Sequence, residues 1–562
     1  MDTGTKVYRN YFPIKFGWQA AIKYGTCYPV FRKLLYPGDV FKIHADLLIR
    51  YQPMLSPPMN DTIATVRFAF LPLRLLEEDI EFIITGSKDG HLTEDTIPVC
   101  DSCFKYLTLA DSHNTAEKNS ELDFLYGLPP GLALNAPGML TKLDNDKASP
   151  ALYFSKAFHR FWWDYYRDEN LYTSYSDFDD YFDAVKTTLN VADKLPSVCI
   201  KKDRITSATP WQLKANVAPT IEVGITGTMT PNYTGDWVTP GVADPVPAYQ
   251  ITGYNGSQTT PFGQWVNSGE GQQQNIQEAG EVNSRIKALL NQQQTFSATG
   301  LGFDAAALRA MMSQTRIFER LARTGSRYTE YLRANFGIAP SDGTLQRAQY
   351  LGGFKTHIVT TEVVQSAGAV NSSGNQTPVG TLRGHGITHG NSTIKTFMAY
   401  EPGIIIGILD VKPETIYSQG VDRELTCRSR FDFLNPSFQH LSEQEVRKGE
   451  VFFGVDTDVS GNLVNSATWG FQPYAQELRT GTKHVYGEMR DTLSYWTQAL
   501  IFSSRPSLNN AFVSAATHLT SYNRPFAVNS NEAYPMVVDF GGIIEAYRPL
   551  VKNGTPGLVD HN

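Results

Sequence analysis

A chain of 562 residues with 49 Lys and Arg against 56 Asp and Glu carries a net charge of −7, which excludes a basic coat protein that neutralises nucleic acid unaided. Its five cysteines are sparse and odd in number, which excludes a disulfide scaffold and fits a reducing compartment. Charged residues fall to 19% while aromatics reach 12%, so the chain is expected to hide more surface than a monomer would, in contacts between subunits.

At the start of the chain Lys6, Arg9 and Lys15 lie among Tyr8, Tyr11, Phe12 and Phe16. This alternation would let the phosphates of a single strand meet cations while unpaired bases stack on rings, so Lys6, Arg9 and Lys15 are the candidate DNA-contacting residues. The same aromatics would equally serve to anchor the N-terminus on a neighbouring subunit. A turn at Pro37-Gly38-Asp39 opens an extended run from Val40 to Tyr51, and Thr62 to Leu71 alternates well enough to be the next strand. Cys100-x-x-Cys103 is half a zinc site without a second pair to complete it, and no metal is expected there. From Ala151 to Leu171 the aromatics recur at helical spacing, and burial in a core or subunit contact outweighs a role as a base-stacking platform.

Between Lys214 and Arg285 there is no Lys or Arg, while Gly, Thr, Pro, Asn and Gln dominate. Turn signals such as Pro231-Asn232 and Tyr254-Asn255-Gly256 predict a compact surface excursion over 215–300. Tyr233, Trp237, Tyr254 and Trp265 are its candidate recognition residues. Beyond it, Asp304 to Gly353 reads as a helix with an apolar face that includes Leu308, Phe318, Leu321 and Ala322, a break at Gly325, and a second helix stopped by Gly337 and Pro340.

His385 and His389 have a spacing that binds metal when a helix aligns them, yet Gly384, Gly386 and Gly390 predict a glycine-rich surface loop. Gly403 to Val411, GIIIGILDV, reads as a strand buried on both faces. There is no Gly-x-x-x-x-Gly-Lys-Ser/Thr phosphate loop and no Gly-x-Ser-x-Gly elbow, and no cofactor or catalytic residue is expected. With no long apolar run and no export-signal pattern, the chain is expected to be made and folded in a cytoplasm.

The string ERLARTGSRYTEYLRANFG followed by LQRAQYLGG, within Asp304 to Gly353, resembles a signature of the major capsid proteins of microviruses, small single-stranded-DNA phages, with the gokushovirus-like branch the nearest match. Pro37-Gly38-Asp39 and its strand, Arg167 to Leu171, Thr206 to Ala208 with Pro210-Trp211, Ser429 to Phe433 with Pro436, and Gly554 to His561 resemble the same family. The resemblance implies a mainly β fold, an eight-stranded antiparallel jelly roll whose long inter-strand insertions carry helices, forming a single domain over 1–562. It implies a T=1 shell of sixty copies around circular single-stranded DNA, with the 215–300 insertion as an outward protrusion for a host cell-surface receptor. An internal scaffolding protein, a pilot protein and a small basic DNA-packaging protein are the other partners it implies. The alternative, a jelly-roll carbohydrate-binding or cupin-like metal enzyme, requires a clustered site of His and carboxylates.

Overall fold

Eight antiparallel strands form the centre of the computed structural model: β1 (Asn10–Ile22), β2 (Tyr28–Leu35), β3 (Val40–Tyr51), β4 (Thr62–Pro72), β5 (Gln349–Val364), β6 (Leu382–Thr393), β7 (Gly403–Pro413) and β8 (Met536–Arg548). The structure describes residues 9–76, 117–130, 152–214, 305–366, 379–438, 443–527 and 534–552 except 326 and 459, together with 80, 84, 227–229, 294–296, 369–370 and 376–377. By contact the chain divides into two compact units, Met1–Ala215 with Ile317–Asn562, and Asn216–Arg316. In the second unit Gly227–Met229 pairs antiparallel with Gln294–Phe296.

The strand order is β1-β8-β3-β6 in one sheet and β5-β4-β7-β2 in the other, joined where β5 pairs with β6. Apart from β4, which is followed by its own sheet neighbour β5, each barrel strand is followed along the chain by one in the opposite sheet, which is the winding of a jelly roll. The expected fold is therefore found, with its insertions at 73–348, between β4 and β5, and at 414–535, between β7 and β8. β1 and β2 end the two sheets without pairing to each other. Rings close the gap instead: Phe16 of β1 lies 4.9 Å from Phe31 of β2, Phe31 lies 5.7 Å from Phe68 of β4, and Phe16 lies 5.7 Å from Phe540 of β8. Such pairs contribute about 0.5–1.5 kcal/mol each beyond the area they bury. Gly407 of β7 faces this cluster, and a Cβ there would lie 2.8 Å from the Phe31 Cβ.

β3 alternates between core and solvent along nearly its whole length, so Phe41, Ile43, Ala45, Leu47 and Ile49 face inward and Lys42, His44, Asp46 and Arg50 outward. β7 is buried on both faces because helix α1 (Tyr153–Tyr165) packs on it and on β4 from outside the barrel. The aromatics of α1 go into the core as expected, with Phe158, Phe161, Trp162 and Trp163 all buried. Trp162 Nε1 donates to Ser197 O at 2.7 Å, and the buried His159 ring meets Glu121 Oε2 at 2.7 Å and the Tyr181 hydroxyl at 2.9 Å. Helix α2 (Phe178–Val185), which supplies Tyr181, is capped by Asp177, whose carboxylate accepts from the Asp180 N–H.

Helices α3 (Ala305–Thr324) and α4 (Tyr328–Phe336) match the predicted pair, broken at Gly325 with φ +93° and ended at Gly337 with φ +68°, both in the left-handed region that favours glycine. The expected N-cap, Asp304, lies outside the described residues. Ala322 is buried, but α4 contributes no buried residue. The pair is held by polar contacts: Arg323 Nε meets Glu443 Oε1 at 2.5 Å, and Arg327 Nη2 donates to Arg167 O at 2.7 Å.

One expectation fails plainly. His385 and His389 are on β6 and not in a surface loop. Gly384 and Gly386 are strand positions facing inward, where a Cβ would meet Ser56 and Pro57 backbone atoms or the Tyr51 ring at under 3 Å. Glycine here marks close packing rather than a turn.

Candidate functional site: an exposed loop and a cation-lined groove

The insertion after β7 presents large apolar side chains to solvent. Leu425 is 78% exposed, and Phe431, Phe433 and Leu434 are 61%, 60% and 59% exposed. The loop bearing them is nonetheless fixed from within. The Asp432 carboxylate accepts from the Arg428 and Ser429 N–H groups at 3.1 and 2.7 Å and pairs with Arg447 at 3.2 Å. Those hydrogen bonds, Ser429 first, hold its carboxyl well below the usual carboxylate range. The Phe431 ring lies 6.2 Å from Phe438 and under the Arg430 guanidinium at 4.6 Å. Exposed apolar groups held in one arrangement lose little conformational freedom on contact, which suits them to a protein interface.

A second feature lies where the outer face of the β5-β4-β7-β2 sheet meets α1, the segment 196–204, the start of α4 and the loop 480–483. Three adjoining cavities of about 620, 290 and 420 Å³ share Lys202 at their junction. Ten Lys and Arg side chains and six carboxylates line them, a positive excess on a chain whose total is −7. Most of these cations are paired. Lys201 meets Glu414 at 3.2 Å, Lys483 meets the same carboxylate, Lys202 meets Asp168, and Arg167 meets Glu169 at 3.1 Å. Arg204 and Glu450, both buried, meet at 2.7 Å.

Two cations are not paired. Among the described residues no carboxylate lies within ion-pair distance of Lys355 on β5 or Lys412 on β7. The Lys412 ammonium donates to Cys199 O at 3.0 Å, and burial lowers its pKa. Between these lysines in the sheet, Arg67 of β4 reaches the buried Asp410 at 3.3 Å. Burial raises the Asp410 carboxyl pKa against the pull of Lys412, Arg67 and Lys355.

Of the residues singled out in the sequence, Lys6, Tyr233, Trp237, Tyr254 and Trp265 lie outside the described residues, as do Cys100 and Cys103. Arg9 is exposed just ahead of β1, and Lys15 is exposed on the outer face of β1 beside Tyr11, whose ring lies 5.3 Å from Tyr547. Phe12 and Phe16 point the other way and pack on the core, so they are not available to stack on bases with Lys15. Among the described residues no group of three or more His, Cys, Asp or Glu is placed to hold a metal ion, and no helix is long and apolar enough to cross a membrane.

The family model described as Capsid protein (F protein) matches residues 2–120 and 131–558. The chain belongs to this capsid protein family. It is similar to Capsid protein VP1 of Chlamydia phage 1, at 27% identity over 98% of this chain and 96% of that protein. It is likewise similar to Capsid protein VP1 of Bdellovibrio phage phiMH2K, at 26% over 98% and 95%, and of Spiroplasma virus 4, at 26% over 99% and 97%. The resemblance to gokushovirus-like major capsid proteins noted in the sequence is met along nearly the whole chain. This capsid protein is structural and not an enzyme, and its family implies self-assembly into the shell of a virion. Sequence reasoning missed Lys355, Lys412 and Arg67, because they come from strands far apart in the chain and only their pairing brings them together. The loop around Phe431 was legible as a family block, but not as an exposed one.

Proposed function

We propose that sixty copies of this capsid protein form a small T=1 icosahedral shell enclosing circular single-stranded DNA, assembled in the cytoplasm of a bacterial host. The observation that carries the reading is the loop around Phe431, an exposed apolar surface held rigid on a chain of a capsid family. It packs against a neighbouring copy. The chain works as a single jelly roll over 1–562, and its segment 215–300, without a Lys or Arg up to residue 284, projects outward for attachment to a host cell-surface receptor through Tyr233, Trp237, Tyr254 and Trp265. Lys6, Arg9 and Lys15 contact the genome weakly and without sequence preference. An acidic subunit leaves most of the DNA charge to small cations and a small basic packaging protein, and an internal scaffolding protein and a pilot protein complete the partners.

The test is the double variant Phe431→Ser with Phe433→Ser. Both side chains are exposed, so the subunit should fold with an unchanged circular dichroism spectrum and melting temperature. Shells should be absent by negative-stain microscopy. Normal shells from the variant would remove the loop from the assembly surface.

A further inference from the structure

We infer that the 290 Å³ cavity over the outer face of β4, β5 and β7 is a phosphate-binding site, with Lys412, Lys355 and Arg67 as its cationic ligands. It lies in the sheet and not in the assembly loop, so it does not depend on how shells form.

The first support is the charge left over. Arg67 is matched by Asp410, but Lys355 and Lys412 have no carboxylate in contact among the described residues, and β4 runs between their strands. In register, Ile63 stands opposite Lys412 on one side and His357 on the other, while Thr65 stands opposite Asp410 and Lys355. Two ammonium groups without a carboxylate in contact thus lie at one end of three neighbouring strands. A bound phosphoryl oxyanion supplies the counter-charge that contact carboxylates do not.

The second is burial. Lys412 is largely buried, and an ammonium held out of water with only one carbonyl acceptor is costly unless an anion reaches it. The Tyr166 hydroxyl is buried on the cavity wall beside the Arg67 guanidinium, and its O–H is a donor for a phosphate oxygen. Arg67 stands over the Tyr166 ring at 4.9 Å with its planar fork directed by Asp410. Asp410 does not line the cavity, and the carboxylate that does, Glu414, is paired with Lys201 and Lys483.

The third is size and access. A cavity of 290 Å³ admits a phosphate group with a few waters but not a folded polymer, while the adjoining 620 and 420 Å³ cavities leave room for whatever the phosphate is attached to. The shared chemistry is a phosphoryl oxyanion, whether free phosphate or one phosphodiester of a single strand.

Inorganic phosphate is titrated calorimetrically into the full-length chain at constant ionic strength set with chloride. Saturable binding of one phosphate per chain is expected, weakened at least tenfold in Lys412→Met and severalfold in Lys355→Met. Lys355 is exposed, so its variant tests the site without disturbing the core, and Arg67 is left intact because its loss would strand Asp410. No saturable binding, or equal binding by both variants and the unaltered chain, overturns the site. Displacement of bound phosphate by a short oligothymidylate supports the site and identifies the phosphodiester as its source. Phosphate held against that competitor supports it with free phosphate as the ligand.

Discussion

His518 shows how a single half-buried side chain ties this protein to pH. Burial lowers its pKa, opposed by its hydrogen bond to Phe512 O at 2.8 Å. The folded chain therefore takes up this proton at lower pH than the unfolded chain does. Stability from this group is full above the unfolded histidine value of about 6.5 and is lost as pH falls from there toward the folded value. The slope it contributes is at most about 1.4 kcal/mol per pH unit. His518→Gln keeps a donor for Phe512 O and removes the titration. Between pH 7 and 5 the unaltered chain should lose unfolding free energy faster than the variant in denaturant melts, and parallel curves would show that His518 does not contribute.

Among the elements, those with strong periodicity were legible in the sequence and those whose pattern depends on partners were not. β3, β4 and β7 were each placed to within a few residues, and α1 within the longer span 151–171, because alternation or helical spacing of apolar residues reports directly on a buried face, while α3 and α4 were bounded by Gly325 and Gly337. β1 was not read as a strand, since Pro13 and Gly17 look like breakers. It tolerates Pro13 because it ends its sheet and pairs on one side only, with β8. β6 was lost for the opposite reason: its glycines answer to Tyr51 and Ser56, which sequence spacing cannot show. The assembly loop has a comparable hidden determinant in Asp432. Asp432→Ala frees the Arg428 and Ser429 N–H groups and the Arg447 side chain on an exposed loop, so the melting temperature should hold while shell yield falls, as read by sedimentation. An unchanged yield would show that the loop does not need to be held in advance.

At the scale of the whole molecule, charge is sorted by region: a segment without a cation from 215 to 284, and a cation-rich groove in the jelly-roll unit. The first was evident in the sequence and the second was not, since the groove draws on residues from Arg67 to Lys483. If 215–300 serves attachment alone, replacing Thr226 to Gly269 with a short Gly-Ser linker should leave shells intact by microscopy and abolish adsorption to host cells. Failure to form shells would make the segment architectural.

The strand order also sets a timetable. β8 pairs with β1 on one side and β3 on the other, yet β1 and β3 are complete by residue 51 and β8 begins at Met536. At roughly 5–20 residues per second of synthesis, the two early strands wait on the order of 30–100 s with the edges they will give to β8 unpaired. The barrel can thus first close only once Met536–Arg548 has been made, and until then a nascent subunit offers strand edges that any neighbouring nascent chain could occupy.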